Sequence, residues 1–460
     1  MTADVYEELR REALARIDGT GIDPESQLEE VRELLEVAVE DYQRRAHLGD
    51  GKSLADPRAT VNRLVQSVTG RGPLSRLLDR SDVEEIFIEG DAVTYLEAGG
   101  VLRSADLPAT EAENRQTIDQ LISTSDRRLD ASNPITQARV LDGSARLTAV
   151  IPPVGDQLSA TIRKYALRRQ TLHALVALGS LTPAAAALLE AAMRASASVI
   201  ISGPPGSGKT SFLSALIAAV PADHCIRSCE EVRELHVPLI HGSYYESRPP
   251  SLDGSGEISL RDLVKVILAM RPDLIVVGEV RGAEAFELTR AVNAGCGMAC
   301  TIHANSASDA LDALVNAALM AGENVPEPVV RKVFSSSIDL VVHLDRGIDQ
   351  SGSRMIRETM EIRAVVPALH DDFSTEAIFS RDHLGGPLTW TGSLPPQDLT
   401  KRIEGVLPGR SGLTSLLRDG VQNRTTPRVI EFVRHGCPFV GLRRHWGIAF
   451  CFWGVHKVST

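Results

Sequence analysis

Eight consecutive residues carry the clearest chemistry in the chain: Gly203-Pro204-Pro205-Gly206-Ser207-Gly208-Lys209-Thr210. The pattern is G-x-x-x-x-G-K-T. It sits between the apolar run Ser198-Val199-Ile200-Ile201 and the helix-like segment Ser211-Phe212-Leu213-Ser214-Ala215-Leu216-Ile217. A buried strand, a glycine loop and a helix in that order make a phosphate-binding loop. Glycines permit backbone angles that side chains resist, so successive N–H groups converge on one concavity. The positive helix N-terminus adds to the field, and the whole suits a polyphosphate. The spacing gives Lys209 the β- and γ-phosphates and gives the Thr210 hydroxyl a place in a Mg²⁺ shell. The loop predicts binding of a nucleoside triphosphate and leaves open what the energy does.

Polar groups at other strand ends could complete the chemistry. The apolar run Leu274-Ile275-Val276-Val277 ends in Gly278-Glu279, where an acid can hold a metal-bound water. A strand ending at Cys229 delivers Glu230 and Glu231. Adjacent acids on a strand point to opposite sides, so at most one easily faces the phosphates. The run Ala299 to Ile302 ends in His303, whose imidazole could hydrogen-bond a γ-phosphate. A strand-end acid or a lone histidine is by itself more often solvated or structural. Several such ends after one phosphate loop are harder to explain as accident.

These residues need elements to hold them. Residues 4–47 have the spacing of two helices with charged outer faces, followed by a polar linker at Lys52 to Asp56. From Gly70 short strands are expected at Val83 to Glu89, Val93 to Glu97 and Leu102, then a helix at 112–124. A hairpin is expected over Ala138 to Arg146 and Thr148 to Pro152, turning at Asp142-Gly143, so that a small α+β domain ends near Lys164. From about Thr171, helices and strands alternate to about residue 380, the pattern of an α/β domain with a largely parallel sheet. The resulting divisions are a helical N-terminal extension at 1–60, an α+β domain at 61–170, a phosphate-loop domain at 171–410 and a tail at 411–460.

Composition narrows the function classes. The chain has 460 residues, a net charge of −11 and 43 % hydrophobic residues, so a global nucleic-acid footprint is absent and no direct nucleic-acid partner is expected. The first fifteen residues lack the apolar core of a signal peptide, and no stretch reaches the ~18 apolar residues of a membrane span. A cytoplasmic protein, peripheral to the membrane through partners, is expected. The pairs Cys225/Cys229 and Cys296/Cys300 have C-x₃-C spacing in apolar, strand-like segments, which favours buried thiols over a metal site. In the tail, Arg424, Arg428, Arg434, Arg443 and Arg444 accumulate beside Phe432, Phe439, Trp446, Phe450, Phe452 and Trp453. That composition allows contact with lipid headgroups, or an adventitious tail whose removal after Pro408 leaves activity intact.

Longer motifs carry a family resemblance. Arg271-Pro272-Asp273-Leu274 through Glu279-Val280-Arg281-Gly282-Ala283-Glu284 resembles the Walker B region of the type II/IV secretion ATPase superfamily. Thr301-Ile302-His303-Ala304-Asn305-Ser306-Ala307 resembles its His box, and Cys229-Glu230-Glu231-Val232-Arg233-Glu234-Leu235 its Asp box. Gly72-Pro73-Leu74 with Val83-Glu84-Glu85-Ile86 resembles the start of its N-terminal domain. Asp142-Gly143-Ser144, Pro152-Pro153 and Thr161-Ile162-Arg163-Lys164 resemble the end of that domain. The branch most resembled is the Tad/Flp pilus assembly ATPases, relatives of the conjugation-type secretion ATPases.

The resemblance implies a RecA-like P-loop NTPase core with ATP and Mg²⁺ bound between two domains. It implies a homohexamer acting on inner-membrane pilus or secretion platform proteins. It makes Glu279 the Walker B acid, Glu230 the water-orienting acid and His303 the γ-phosphate sensor. Arg139, Arg146 and Arg163 become candidates to neutralise transition-state charge. Glu231 stands where the family commonly has Asp, and Gly295-Cys296-Gly297 lacks the second sensor imidazole. Ala145 resembles an insertion that favours Arg139 over Arg146. The expected function is an ATP-hydrolysing motor for pilus assembly, retraction or protein secretion. The alternatives are a nucleotide-gated hexameric scaffold with little turnover and a conjugation-type secretion ATPase.

Overall fold

A computed structural model describes the chain except residues 1–2, 23–26, 50, 70–71, 98–99, 106–108, 126, 166–170, 236, 238, 251–254, 349–354, 368–372, 408–411 and 423–460. The basic-aromatic residues of the tail therefore lie outside the described residues. Among those described, no helix is long and apolar enough to cross a membrane.

Three helices open the chain: α1 (Ala3–Thr20), α2 (Leu28–His47) and α3 (Pro57–Thr69). Tyr6, Leu9 and Ala13 of α1 share one apolar cluster with Val31, Leu35 and Val39 of α2 and Val61, Leu64 and Val68 of α3. The third helix corrects the sequence reading, which places no element at 57–69. Its buried residues recur at helical spacing, and α3 runs through residue 60, where the extension was expected to end.

The next elements are α4 (Ser75–Asp79), β1 (Val83–Glu89), β2 (Ala92–Glu97), β3 (Val101–Ser104), α5 (Glu111–Ser123), β4 (Ile135–Val140), β5 (Ala145–Val150) and β6 (Ser159–Lys164). Their strands form an antiparallel sheet in the order β3-β2-β1-β6-β5-β4. Alternation governs it: Ile86, Ala138, Leu147 and Ile162 are buried in a core with Ile118 and Leu121 of α5. Their neighbours Glu85, Arg139, Arg146 and Arg163 must then point to the other face. The β4–β5 hairpin turns at Asp142-Gly143 as expected: Leu141, Asp142 and Gly143 have positive φ, and the strands pair from Val140↔Ala145 to Ile135↔Val150.

The rest comprises α6 (Leu172–Ala177), α7 (Pro183–Arg194), β7 (Val199–Ser202), α8 (Lys209–Ile217), β8 (Ile226–Glu230), β9 (Gly242–Glu246), α9 (Leu260–Leu268), β10 (Leu274–Val277), α10 (Glu284–Asn293), β11 (Gly297–Ile302), α11 (Ala307–Leu319), α12 (Glu327–Ser337), β12 (Leu340–Ile348), β13 (Met355–Val366), β14 (Ser374–Ser380), β15 (Thr389–Trp390), α13 (Gln397–Val406) and α14 (Leu413–Gln422). Nine strands form one sheet, ordered β15-β14-β13-β12-β7-β11-β10-β8-β9. The stretch from β12 to β9 is parallel, and every residue of β7, β10 and β11 is buried. Helices cover both faces, each over its own apolar cluster, and burial of each large aliphatic side chain contributes about 1.5–3 kcal/mol. The fold is therefore mixed α/β.

Two expectations need correction. The strand-helix alternation ends at β12, because β13, β14 and β15 add antiparallel with connections too short for crossover helices. The tail does not begin at 411 as a separate element either. Leu413 and Leu417, one helical turn apart on α14, are fully buried in the same cluster as α7. A chain cut after Pro408 would expose that face of α7.

Candidate active site

The parallel topology places the ends of β7, β10, β8 and β11 side by side, where open α/β sheets bind ligands. A cavity of about 230 Å³ opens there. It is lined by Pro205, Gly206, Gly208, Lys209, Thr210, Glu230, Gly278, Glu279 and His303 from the large sheet, and by Arg146 and Arg163 from the small one. Gly203, Pro204, Ser207, Ser211 and Arg139 are not among its lining residues.

The loop backbone requires its glycines. Gly203 has φ 151°, and a Cβ there would lie 2.3 Å from the Leu344 carbonyl oxygen. Gly208 has φ 92° and directly precedes α8. Ser207 is buried, and its hydroxyl has no hydrogen-bond partner. A buried unpaired hydroxyl inside a glycine cradle that side chains would fill is consistent with an anion as the missing partner.

Lys209 turns its ammonium onto its own loop, donating to the carbonyl oxygens of Gly203 and Pro204, both at 3.0 Å. It also lies 3.1 Å from Nδ1 of His303. Burial pushes the Lys209 ammonium down to about 8. Burial and the neighbouring Lys209 charge likewise lower His303, so the imidazole is neutral and accepts at Nδ1. Its Nε2 then carries the proton and sits 2.7 Å from Oε1 of Glu279. That oxygen is otherwise buried without a well-aligned hydrogen bond. Burial alone would raise Glu279, but the hydrogen bond from Arg281 at 2.8 Å and the charges of Arg281 and Lys209 hold it below the usual range. Glu279 is thus a committed carboxylate in a row with His303 and Lys209.

Glu230 differs. It is buried, and its carboxylate accepts the backbone N–H groups of Glu234 at 3.2 Å and Leu235 at 3.1 and 3.2 Å. Burial outweighs those bonds and pushes it up to about 8. Gly278 makes room, since a Cβ there would lie 2.5 Å from Cγ of Glu230. Glu231 also lines the cavity, where it pairs with Arg281 at 2.9 Å.

The arginines lie in one row. Register sets Glu85 opposite Arg163, Arg163 opposite Arg146, and Arg146 opposite Arg139 across β1, β6, β5 and β4. Like charges directly opposite are unfavourable unless acids relieve them. Arg163 lies 3.5 Å from Glu85, Arg146 lies 3.9 Å from Glu234, and Arg139 lies 4.0 Å from Glu246. Arg139 is on the edge strand and faces β9. The preference for Arg139 over Arg146 is therefore corrected, because distance along the row, and not position in the hairpin, decides which arginine reaches the cleft. Arg281, Glu234 and Thr301 also line the cleft. All three sit inside the quoted motifs, but nothing in their spacing showed where their side chains end.

The family model for "Type II/IV secretion system protein" matches residues 69–377. The putative conjugal transfer protein Rv3659c of Mycobacterium tuberculosis is 32% identical over 324 residues, which cover 69% of this chain and 90% of that protein. The type IV secretion system protein VirB11 of Bartonella quintana is 29% identical over 315 residues, covering 60% and 87% respectively. Among solved structures, the Legionella pneumophila ATPase DotB aligns with a TM-score of 0.46 and 18% identity, over 64% of this chain and 81% of that one. With the model matching most of the chain and a relative this similar along its length, the chain belongs to the type II/IV secretion system protein family.

Proposed function

We propose that the chain is an ATPase whose hydrolysis site is the cleft between its two sheets and whose closure moves one sheet against the other. The observation that carries this reading is the meeting of Lys209, Thr210, Glu230, Glu279 and His303 with Arg146 and Arg163 around one cavity. In this reading the large sheet is a RecA-like core, and residues 203–211 are its Walker A loop and helix start. Lys209 neutralises β/γ-phosphate charge, while Thr210 and Glu279 hold Mg²⁺, which offsets charge on the phosphates. Glu230, whose carboxyl burial pushes up to about 8, is the acid that orients the attacking water. His303 reports the γ-phosphate to Glu279 through the contact they share. Arg146 and Arg163 meet the charge that develops on the far side.

The motor would work as a homohexamer on the cytoplasmic side of the membrane, through an inner-membrane platform. Its output would be pilus assembly or retraction of the Tad type, or secretion. A conjugation-type system is the second reading, favoured by the names of the relatives. Glu279→Gln tests the core of the proposal. It should bind ATP with near-wild-type affinity while phosphate release falls roughly a hundredfold. Unchanged release would remove Glu279 from the site. Negative-stain imaging with a non-hydrolysable ATP analogue tests the six-membered ring, and a uniformly monomeric particle would refute it.

A further inference from the structure

We infer that Arg357 is a positioning residue for the phosphate loop, and that its ion pair with Glu84 makes the loop's order depend on the small sheet. This rests on the reading of residues 203–210 as the nucleotide loop. Arg357 comes from β13, which the cleft does not include. Its Nε donates to the carbonyl oxygen of Gly206 at 3.0 Å. Its two terminal nitrogens donate to Glu84 at 3.2 and 2.8 Å, a forked pair between residues 273 apart in sequence. One guanidinium thus bridges the apex of the loop and the first strand of the other sheet.

The local backbone is shaped for this contact. Between β1 and β2 the register passes from Val83↔Glu97 to Glu85↔Leu96, so Glu84 is the extra residue of a β-bulge. Bulges re-aim side chains. Here the bulge lets two successive acids serve the same side of the molecule, Glu84 reaching Arg357 and Glu85 facing Arg163. On the other side, Arg346 of β12 is paired in register with Arg357, and its Nη1 lies 2.6 Å from where a Cβ on Gly206 would be. Two arginines of one hairpin therefore press on Gly206, and Glu84 compensates the charge of one. A second contact joins the same parts: a Cβ on Gly100, in the β2–β3 turn, would lie 2.5 Å from Cβ of Met355 at the start of β13. Rotation of the small sheet would pull on Arg357, and Arg357 holds a loop carbonyl. The bridge therefore transmits motion by a second route, separate from the arginines that face the cavity.

The test uses the full chain and three readouts: amide exchange over residues 203–210 without nucleotide, affinity for a fluorescent ATP analogue, and thermal stability. Glu84→Ala and Arg357→Ala should each speed exchange in the loop and weaken the analogue roughly tenfold, the size of one charge-assisted hydrogen bond. The double variant should be no worse than Arg357→Ala alone, because both changes break one bridge. Arg357→Lys keeps a charge for Glu84 but cannot span both partners. It should regain wild-type thermal stability while loop exchange stays fast. Wild-type exchange in the single variants, or losses that simply add in the double, would overturn the inference. If the wild-type chain binds no nucleotide, the proposed function fails, and loop exchange alone still decides whether the bridge orders the loop.

Discussion

The two walls of the cleft are built on opposite principles. The loop wall stands on fully buried parallel strands, and its groups hold one another at 2.7 to 3.1 Å: Lys209, His303 and Glu279. The arginine wall stands on an antiparallel sheet with one open face, and its side chains meet acids only at 3.5 to 4.0 Å. Partly exposed pairs of that length contribute little, typically under about 1 kcal/mol. The difference shows a division of labour. The loop wall is tied together by short contacts, whereas the arginines keep loose partners that, in the proposed function, a phosphate would displace. A wall that binds should be rigid, and a wall that moves should not be locked.

Lys209→Ala probes that contrast most strongly. It should weaken ATP binding by about a hundredfold or more in a fluorescence titration, because the buried ammonium is the loop's own counter-charge. Affinity near wild type would mean the loop wall is not the binding wall. The arginines should give a smaller, kinetic effect. Arg163→Ala and Arg146→Ala should lower kcat roughly tenfold to a hundredfold with little change in ATP affinity. Arg139→Ala, outside the cavity, should change kcat by less than about threefold. Equal losses at all three positions would erase the distinction within the row.

The smallest effect concerns pH and belongs to the loop wall alone. The carboxyl of Glu230 is raised from 4.5 to about 8 by burial, so the folded chain holds a proton there that the unfolded chain releases. The resulting stabilisation is complete below about pH 4.5 and is lost as pH rises through about 8. Glu230→Gln cannot titrate. Wild type should therefore lose about 5 °C of Tm relative to Glu230→Gln between pH 5 and pH 8. A constant gap across that range would show that Glu230 is not buried as described.

Much of the loop wall was readable from the chain. A glycine loop after an apolar strand, and polar residues closing further apolar strands, are local patterns with local geometry. The third helix was equally local: Val61, Leu64 and Val68 have the spacing, but the polar residues before them obscured it. The antiparallel turn of β13 to β15 was not readable, because an apolar run shows neither its neighbour nor its direction. Nor was the burial of α14, whose leucines gain meaning only from the exposed face of α7 that they cover.

What the sequence determined by itself was the make-up of one wall: which polar groups close the buried strands beside the glycine loop, because strand, loop and helix are consecutive and their geometry is local. The tertiary structure decided the rest. It set Arg146, not the edge-strand Arg139, along the cleft by strand order, and turned Glu84 toward Arg357 by a bulge. It also joined Glu84 to Arg357 across 273 residues. Register, strand order and packing are relations between distant segments, and no local pattern encodes them.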